Sequence, residues 1–333
     1  MEFTIGGQLE VRMTAADVGK RVSVRRAVDA SGTGAKFTDT VGVLTSWDGG
    51  VLSVTTKSGE SVRIEESSLV AGKVVPPAPA RRRGPAAAFE EIAPVVARAW
   101  EPVESEPLGD WTLRAAGGFT RRANSALPLG DPGLPLGEAL ARVRQWYGER
   151  GLPGYIQAAT GAEGTQELLC AELEEHGWRR EVTAEVRIAA LAPVGDLDAD
   201  VSAVSMSRDV DTAWLSRYQR FETPGPHVLK VLGSGPSVWF ASVPGEDPSK
   251  APAAIGRCVV DGRWAGFMAV EVGPEYRRRG LATTVMAALA RRALDEGASA
   301  AWLQVETDNE GARALYDRMG FGVHHSYHHF RSA

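Results

Sequence analysis

The sequence predicts a mixed α/β (α+β) chain in which a small all-β module precedes a larger body of mixed sheet flanked by helices. Three observations carry that expectation. Residues 9–75 read as short Val/Thr-rich runs separated by Gly-containing turns, the mark of hairpins. Residues 76–88 (PPAPARRRGPAAA) are proline-rich, basic and without periodicity, as a linker is. Beyond them, helical and strand patterns alternate to the end of the chain.

The elements follow in order. Arg21–Val28, Thr40–Trp47, Val51–Lys57 and Ser61–Glu65 are expected strands, with Asp48-Gly49-Gly50 and Ser58-Gly59-Glu60 as turns. Four or five strands in about 65 residues fit a small SH3-like or Tudor-like barrel. Ala88–Trp100 reads as a helix and Trp111–Arg114 as a strand. Leu136–Arg150 is an amphipathic helix with Leu140, Val143 and Tyr147 on one face. Leu168–His176 is a helix closed by Gly177, and Val182–Leu191 a strand. Next come a strand (Val201–Met206), two helical stretches (Val210–Phe221, His227–Leu232) and three strands (Ser237–Val243, Ala254–Val260, Trp264–Val272). A helix (Thr283–Glu296), a strand (Ala300–Glu306), a helix (Glu310–Met319) and a strand (Val323–Phe330) complete the order.

The 333 residues suffice for two or three domains, and 44% hydrophobic with 24% charged residues is a globular balance. No run of about 18 apolar residues predicts a membrane span, and Met1–Leu9 does not read as a signal peptide. Cys170 and Cys258 lie far apart, which fits free thiols in a reducing cytoplasm. The net charge of −5 is uneven: residues 1–75 are neutral, the linker adds three arginines, and residues 89–333 hold −8. Such a body favours cationic substrates and lacks the basic face of a dedicated nucleic-acid binder.

Arg277-Arg278-Arg279-Gly280-Leu281-Ala282 matches the pattern Arg/Gln-x-x-Gly-x-Gly/Ala. The linker offers a second match, Arg81 to Ala86, but no strand precedes it and Pro85 interrupts its amide donors. The first match follows an apolar strand and opens a helix whose Val285, Met286, Leu289 and Ala293 share a face. A helix N-terminus presents unpaired N–H groups and the positive end of the helix dipole, a ready cradle for a pyrophosphate. After the next strand come Thr307-Asp308-Asn309 and a helix carrying Ala312, Leu315, Tyr316 and Met319, then Gly320-Phe321.

The stretch from Val270 to Phe321 (V-E-V-G-P-E-Y-R-R-R-G-L-A, then N-E-G-A-R-A-L-Y-D-R-M-G-F) resembles the GNAT superfamily of N-acetyltransferases. The resemblance implies a sheet split between Val270–Val272 and Val305, with acetyl-CoA as co-substrate and no metal. Pantetheine would bond to Val270 and Val272. The amides of Arg278, Arg279, Gly280, Leu281, Ala282 and Thr283 would hold the pyrophosphate, with Arg277 at the rim and Asn309 near the pantetheine arm. Tyr316 stands at the family's general-acid position, where a phenol can protonate the leaving thiolate. The base is open among Glu271, Glu306, Glu222 and His227, with Glu271 set beside Tyr316 as the catalytic pair. Gln304 stands where some protein-acetylating members carry a glutamate.

His324, His325, His328 and His329 are expected as edge-strand or substrate-groove residues, with His324 and His325 on opposite faces. Leu168 to Trp178 echoes Leu315 to Phe321, a helix closed by Gly and an aromatic, which suggests a degenerate first GNAT half. The expected domains are therefore a barrel (1–75), a linker (76–88), a degenerate half (89–195) and a catalytic domain (196–333). The complete pattern resembles actinobacterial GNAT proteins with an N-terminal SH3-like or Tudor-like module. The partner implied is an amine acceptor, either a lysine of a basic or DNA-associated protein or a small amine. A non-catalytic acyl-CoA sensor and a nucleic-acid adaptor are the readings outside enzymes.

Overall fold

A computed structural model describes residues 10–28, 36–76, 84–218, 224–247 and 249–333. Arg81–Arg83 of the linker and the candidate base Glu222 lie outside them. The chain separates into two compact units: residues 1–80 with 158–178, and residues 81–157 with 179–333. No helix among the described residues is long and apolar enough to cross a membrane.

The first unit holds β1 (Val11–Arg12), β2 (Arg21–Val28), β3 (Lys36–Asp48), β4 (Val51–Thr56), β5 (Ser61–Glu65) and β6 (Leu69–Val74). They form one sheet in the order β1-β6-β2-β3-β4-β5. Alternate residues of β2 and β4, with Met13, Leu44 and Ile64, make its core: Val22, Val24, Leu52 and Val54 are fully buried. Strand β6 was not foreseen from the sequence.

The rest of the chain begins with α1 (Phe89–Arg98), β7 (Glu104–Leu108), β8 (Trp111–Ala115), β9 (Leu127–Pro128) and α2 (Leu136–Gly148). It continues through β10 (Tyr155–Thr160), α3 (Glu167–Glu175), β11 (Arg179–Ala190) and α4 (Ala192–Gly195). Next are β12 (Ser205–Ser207), α5 (Thr212–Arg217), α6 (Pro226–Leu232), β13 (Ser237–Val243), β14 (Ala254–Asp261) and β15 (Trp264–Val272). Helix α7 (Leu281–Asp295), β16 (Ala300–Glu306), α8 (Glu310–Arg318) and β17 (Gly322–Arg331) follow. Strands β7-β8-β9 form a small sheet, and the large mixed sheet has the order β10-β17-β11-β16-β15-β14-β13-β12.

The three strands that build the site sit where the apolar pattern put them, because each packs against α7. Ala254, Cys258, Ala265, Phe267, Val270, Val272, Leu303 and Val305 join Val285, Met286 and Leu289 of that helix in one cluster. Side chains alternate across a strand, so Ile255, Arg257, Glu271, Gln304 and Glu306 belong to the opposite face. Gly297 (φ 88°) closes α7, with Ala298 N–H bonding to the Ala293 carbonyl at 3.0 Å.

Three expectations change. The strand over Val201–Met206 becomes Ser205–Ser207, and the helix over Val210–Phe221, whose last three residues lie outside the described ones, becomes Thr212–Arg217, started by Asp211 accepting the Trp214 N–H at 2.7 Å. Strand β17 is not an edge: it lies between β10 and β11. Its pairing slips between Val186/His325 and Arg187/Val323, which makes His324 a bulge residue. The bulge brings the two Nδ1 atoms of His324 and His325 to 2.8 Å, where an unbroken strand would separate them.

A Cβ at Gly256 would lie 2.5 Å from Val285 Cγ1 and 3.1 Å from Leu289 Cδ1. Gly256→Ala is therefore expected to lower unfolding free energy by about 1–3 kcal/mol, read from urea denaturation. An unchanged midpoint would mean that α7 does not rest on β14 as closely as described.

Candidate active site

The site begins where two strands part. Strands β15 and β16 pair in parallel from Trp264/Ala300 to Phe267/Leu303 and no further. Beyond Phe267 the pairing of β15 with β14 slips, from Arg257/Met268 to Ile255/Glu271, so two residues of β15 oppose one of β14. Ala269 takes a left-handed φ of 51° there, a conformation that a residue with a Cβ adopts only at a cost. Past the bulge, Gly273 N–H donates to the Ala253 carbonyl at 2.9 Å, so the Gly273/Ala253 pair is a bonded one. Bonded pairs recur every second residue in an antiparallel ladder. Glu271 therefore bonds toward Ile255, while the peptide groups of Val270 and Val272 turn to the edge that β16 has left.

This edge leads into the basic turn. Pro274–Tyr276 forms a short 3-10 turn, then Arg278 (φ 64°) and Gly280 (φ 80°) are both left-handed. A Cβ at Gly280 would meet nothing within 4 Å, so the demand for glycine there is conformational. Alternating hands along Arg278, Arg279 and Gly280 make successive N–H groups converge. The first bond of α7 is donated by Thr284 to the Gly280 carbonyl at 3.0 Å. The amides of Leu281, Ala282 and Thr283 precede it, at positions a helix leaves without an internal acceptor. No acidic residue lies in that first turn and no side chain caps it. Arg277, Arg278 and Arg279 are exposed; Arg279 Nη1 pairs with Glu246 at 3.2 Å.

Helix α8 carries the remaining predicted residues. Asn309 is its N-cap: Oδ1 accepts the Ala312 N–H at 3.1 Å, so the residue has a structural duty at its carbonyl oxygen. Tyr316 is half-buried against the α7 cluster, its ring edge-on to Phe321 at 6.0 Å. Burial pushes the phenol up to about 12, so it keeps its proton at neutral pH. Its Oη makes no hydrogen bond among the described residues.

No residue of α8 is fully buried, so apolar packing does not hold this helix alone. A polar clamp from β11 does the rest. Arg187, 3% exposed, donates to Glu185 at 2.7 Å and to Asp317 at 2.8 Å, beside Tyr316. Arg313 donates to Glu185 at 3.2 Å and to the Thr307 carbonyl at 3.1 Å. Nothing in the sequence flagged Arg187 or Glu185. Their alternation with Val186 and Ala184 on a strand was the available signal.

On the face opposite α7, Glu271 and Glu306 lie on the two strands that flank the split. Gln304 accepts the Trp100 indole N–H at 3.0 Å. His227 is half-buried with its ring over Gly117 and Gly225. Of the β17 histidines, His325, His328 and His329 are buried and His324 is half-buried. His325 meets Phe89 edge-on at 5.1 Å and His328 bonds Thr183 Oγ1 at 2.9 Å. Burial depresses His325 and His329 well below the usual range and His328 to about 3, so these imidazoles are neutral at physiological pH.

Comparison with known proteins shows the family to which the chain belongs. A family model described as "Probable histone acetyltransferase Rv0428c C-terminal" matches residues 88–330, and one described as "Rv0428c N-terminal Sm-like domain" matches residues 16–73. The all-β module is thus Sm-like, a narrower description than an SH3-like or Tudor-like barrel. The chain is 28% identical over 309 residues to "Probable histone acetyltransferase Rv0428c" of Mycobacterium tuberculosis (strain ATCC 25618 / H37Rv), covering 92% of this chain and 93% of that one. It is 25% identical over 252 residues to "Uncharacterized N-acetyltransferase YobR" of Bacillus subtilis (strain 168), covering 73% of this chain and 98% of that one. Among solved structures, a GCN5-related N-acetyltransferase from Kribbella flavida aligns with a TM-score of 0.49 at 17% identity, over 72% of this chain and 92% of that one.

Arg187→Ala would leave Glu185 buried without its main counter-charge, and the expected cost is about 3–5 kcal/mol of unfolding free energy. Asp317 is 64% exposed at its side chain, so Asp317→Ala should cost under about 1 kcal/mol. Urea titrations of the two variants decide; equal effects would remove Arg187 from the role described.

Proposed function

Since the chain belongs to the Rv0428c acetyltransferase family, we propose that it moves the acetyl group of acetyl-CoA onto a primary amine by direct attack. The observation that carries this reading is the open edge of Val270–Val272 leading into the uncapped, acid-free N-terminus of α7. That edge offers donors and acceptors in the spacing of a missing strand, which suits the two amides of pantetheine. The amides from Arg278 to Thr283, with Arg277, Arg278 and Arg279 at the rim, suit a pyrophosphate. Asn309 keeps its NH2 group for a pantetheine carbonyl while its Oδ1 serves the cap.

The amine nitrogen bonds to the thioester carbonyl carbon and the C–S bond breaks. CoA leaves as a thiolate and takes the Tyr316 proton, and the ammonium proton passes to a base. Glu271 and Glu306 flank the split and are the carboxylates able to receive it, directly or through water. Two acceptor classes stand out. A lysine of a basic, DNA-associated protein is supported by the −8 charge of residues 89–333 and by the description of the family. A small amine is supported by the unpaired polar donors taken up below.

The test is release of free CoA with acetylated product identified by mass spectrometry, using acetyl-CoA and a panel of amines, lysine peptides and basic proteins. Acceptor-dependent product is expected. Tight CoA binding with no product would move the assignment to an acyl-CoA-binding regulator, and no CoA binding would end the reading. Tyr316→Phe should lower kcat by roughly 100-fold or more while leaving the KM for acetyl-CoA within about twofold. Because the phenol holds its proton up to about 12, kcat should show no loss attributable to Tyr316 ionisation between pH 7 and 10. A descending limb in that range that Tyr316→Phe abolishes would place the phenol in another electrostatic setting.

A further inference from the structure

The face of the sheet opposite α7 collects hydrogen-bond donors that have no acceptor. Trp100 sits at its centre. Its indole N–H is taken by Gln304 Oε1 at 3.0 Å, and the guanidinium carbons of Arg257 and Arg122 lie 5.2 and 5.6 Å from its ring. Arg257 is fully buried, bonded only to the Ala99 and Ser234 carbonyls and Met268 Sδ, and its Nε has no partner. Arg122 spends Nε on the Tyr327 hydroxyl at 2.8 Å and is half-buried. The Gln304 Nε2 is buried and unpartnered, as are both ring nitrogens of His329, whose ring meets Tyr327 at 5.6 Å. Arg114, 4% exposed, is held by Ser125 and Gln157. Among the described residues, Arg114, Arg122 and Arg257 make no ion pair.

A buried donor without an acceptor is costly, and buried charges are ordinarily paired. Apart from His329, whose neutral ring holds one donor and one acceptor, the unpartnered atoms here are amide and guanidinium donors, with no carboxylate among the partners. The missing chemistry is an anionic oxygen pair, the geometry for which a guanidinium fork is suited. These donors also adjoin the proposed site of chemistry. Gln304 lies on β16, two residues before Glu306, on the face that Glu271 and Glu306 share. Strand pairing carries the row from Glu306 through Ala184 to Tyr327, whose hydroxyl accepts from Arg122.

We propose that Arg122 and the Gln304 amide bind a carboxylate carried by the acceptor itself. This rests on the reading of the split as the acyl-CoA site. It narrows the acceptor to a small zwitterion in which an amine and a carboxylate are separated by a few carbons. The carboxylates at the split draw the ammonium end and Arg122 holds the other end, so the substrate is oriented by its own dipole. A lysine side chain within a protein offers no carboxylate at that distance.

The experiment is isothermal titration of the full chain in the presence of CoA. The probes are ω-amino acids of three to six carbons, the matching aliphatic carboxylates, the matching alkylamines, and a lysine peptide amidated at its C-terminus. The ω-amino acids and carboxylates should bind, and the alkylamines should bind more weakly. Arg122→Gln should weaken the carboxylate-bearing probes by roughly 10- to 100-fold, with the affinity for CoA unchanged. Gln304→Glu keeps the acceptor for Trp100 but adds a negative charge, and should weaken the same probes while strengthening alkylamine binding. Absence of carboxylate binding in the parent protein overturns the proposal. So does binding that both variants leave intact, or preference for the amidated peptide. Loss of CoA binding in the parent protein would instead strike the acetyltransfer reading, and the two failures are read from separate titrations.

Discussion

The active site depends on one break in strand pairing. Strands β15 and β16 could continue side by side past Phe267 and Leu303, and the free peptide groups of a continued pair would satisfy each other. They do not, because β15 takes an extra residue against β14 at the bulge. The bulge re-aims the strand and places Ala269 in a left-handed conformation that costs about 1–2 kcal/mol for a residue with a Cβ. Packing on both faces holds it there. On one side Val285 and Leu289 press toward Gly256, directly across from the bulge. On the other, Arg257 ties Met268 to the carbonyls of Ala99 and Ser234. The open edge is thus bought with strain at one residue and secured by the neighbours of that residue.

A second constraint governs the helix that bears Tyr316. A helix with no fully buried side chain would ordinarily fray or slide. Here the clamp of Arg187, Glu185 and Arg313 fixes it to β11. That strand comes from the stretch the sequence suggests as a separate, degenerate half, yet it lies between β17 and β16 in the same sheet. The two helix-to-strand joints share their local chemistry. Trp178 N–H bonds to the Leu173 carbonyl at 2.9 Å across Gly177, and Phe321 N–H bonds to the Tyr316 carbonyl at 3.0 Å across Gly320. Similar closure at both places delivers β11 and β17 as neighbouring antiparallel strands. The earlier stretch therefore contributes to the position of the helix that bears Tyr316 as well as to the sheet.

What could be read from the sequence was the part written in local rules. Trp264–Val272 and Ala300–Glu306 are apolar on the face toward α7, and Gly280, Gly297 and Gly320 mark helix ends by their left-handed φ. The family resemblance added Tyr316 and Asn309 at positions that local rules alone would assign to packing and capping. What could not be read was set by distant contacts. The interior place of β17 follows from its pairing with β11 about 140 residues earlier, whereas the sequence alone reads its four histidines as edge-strand or substrate-groove residues. The meeting of His324 with His325 needed a bulge that no turn residue announces. Gln304 looked like a lost catalytic glutamate; its contact with Trp100, 204 positions away, gives it a different duty.

On the proposed reading, the alternation of a single strand gives the two sides of the split different chemistry. Val270 and Val272 face the α7 side, toward the helix whose first turn is uncapped and free of acidic residues. Glu271 between them faces the other side, as do Glu306 and Gln304 on the opposite lip of the split. Period-two geometry therefore puts apolar side chains on the α7 face and polar ones on the other, while the open backbone edge proposed for pantetheine lies between them. A shift of one residue in β15 would exchange the faces of Val270, Glu271 and Val272. Gly256, Arg257 and Ala269 lie where that register is fixed.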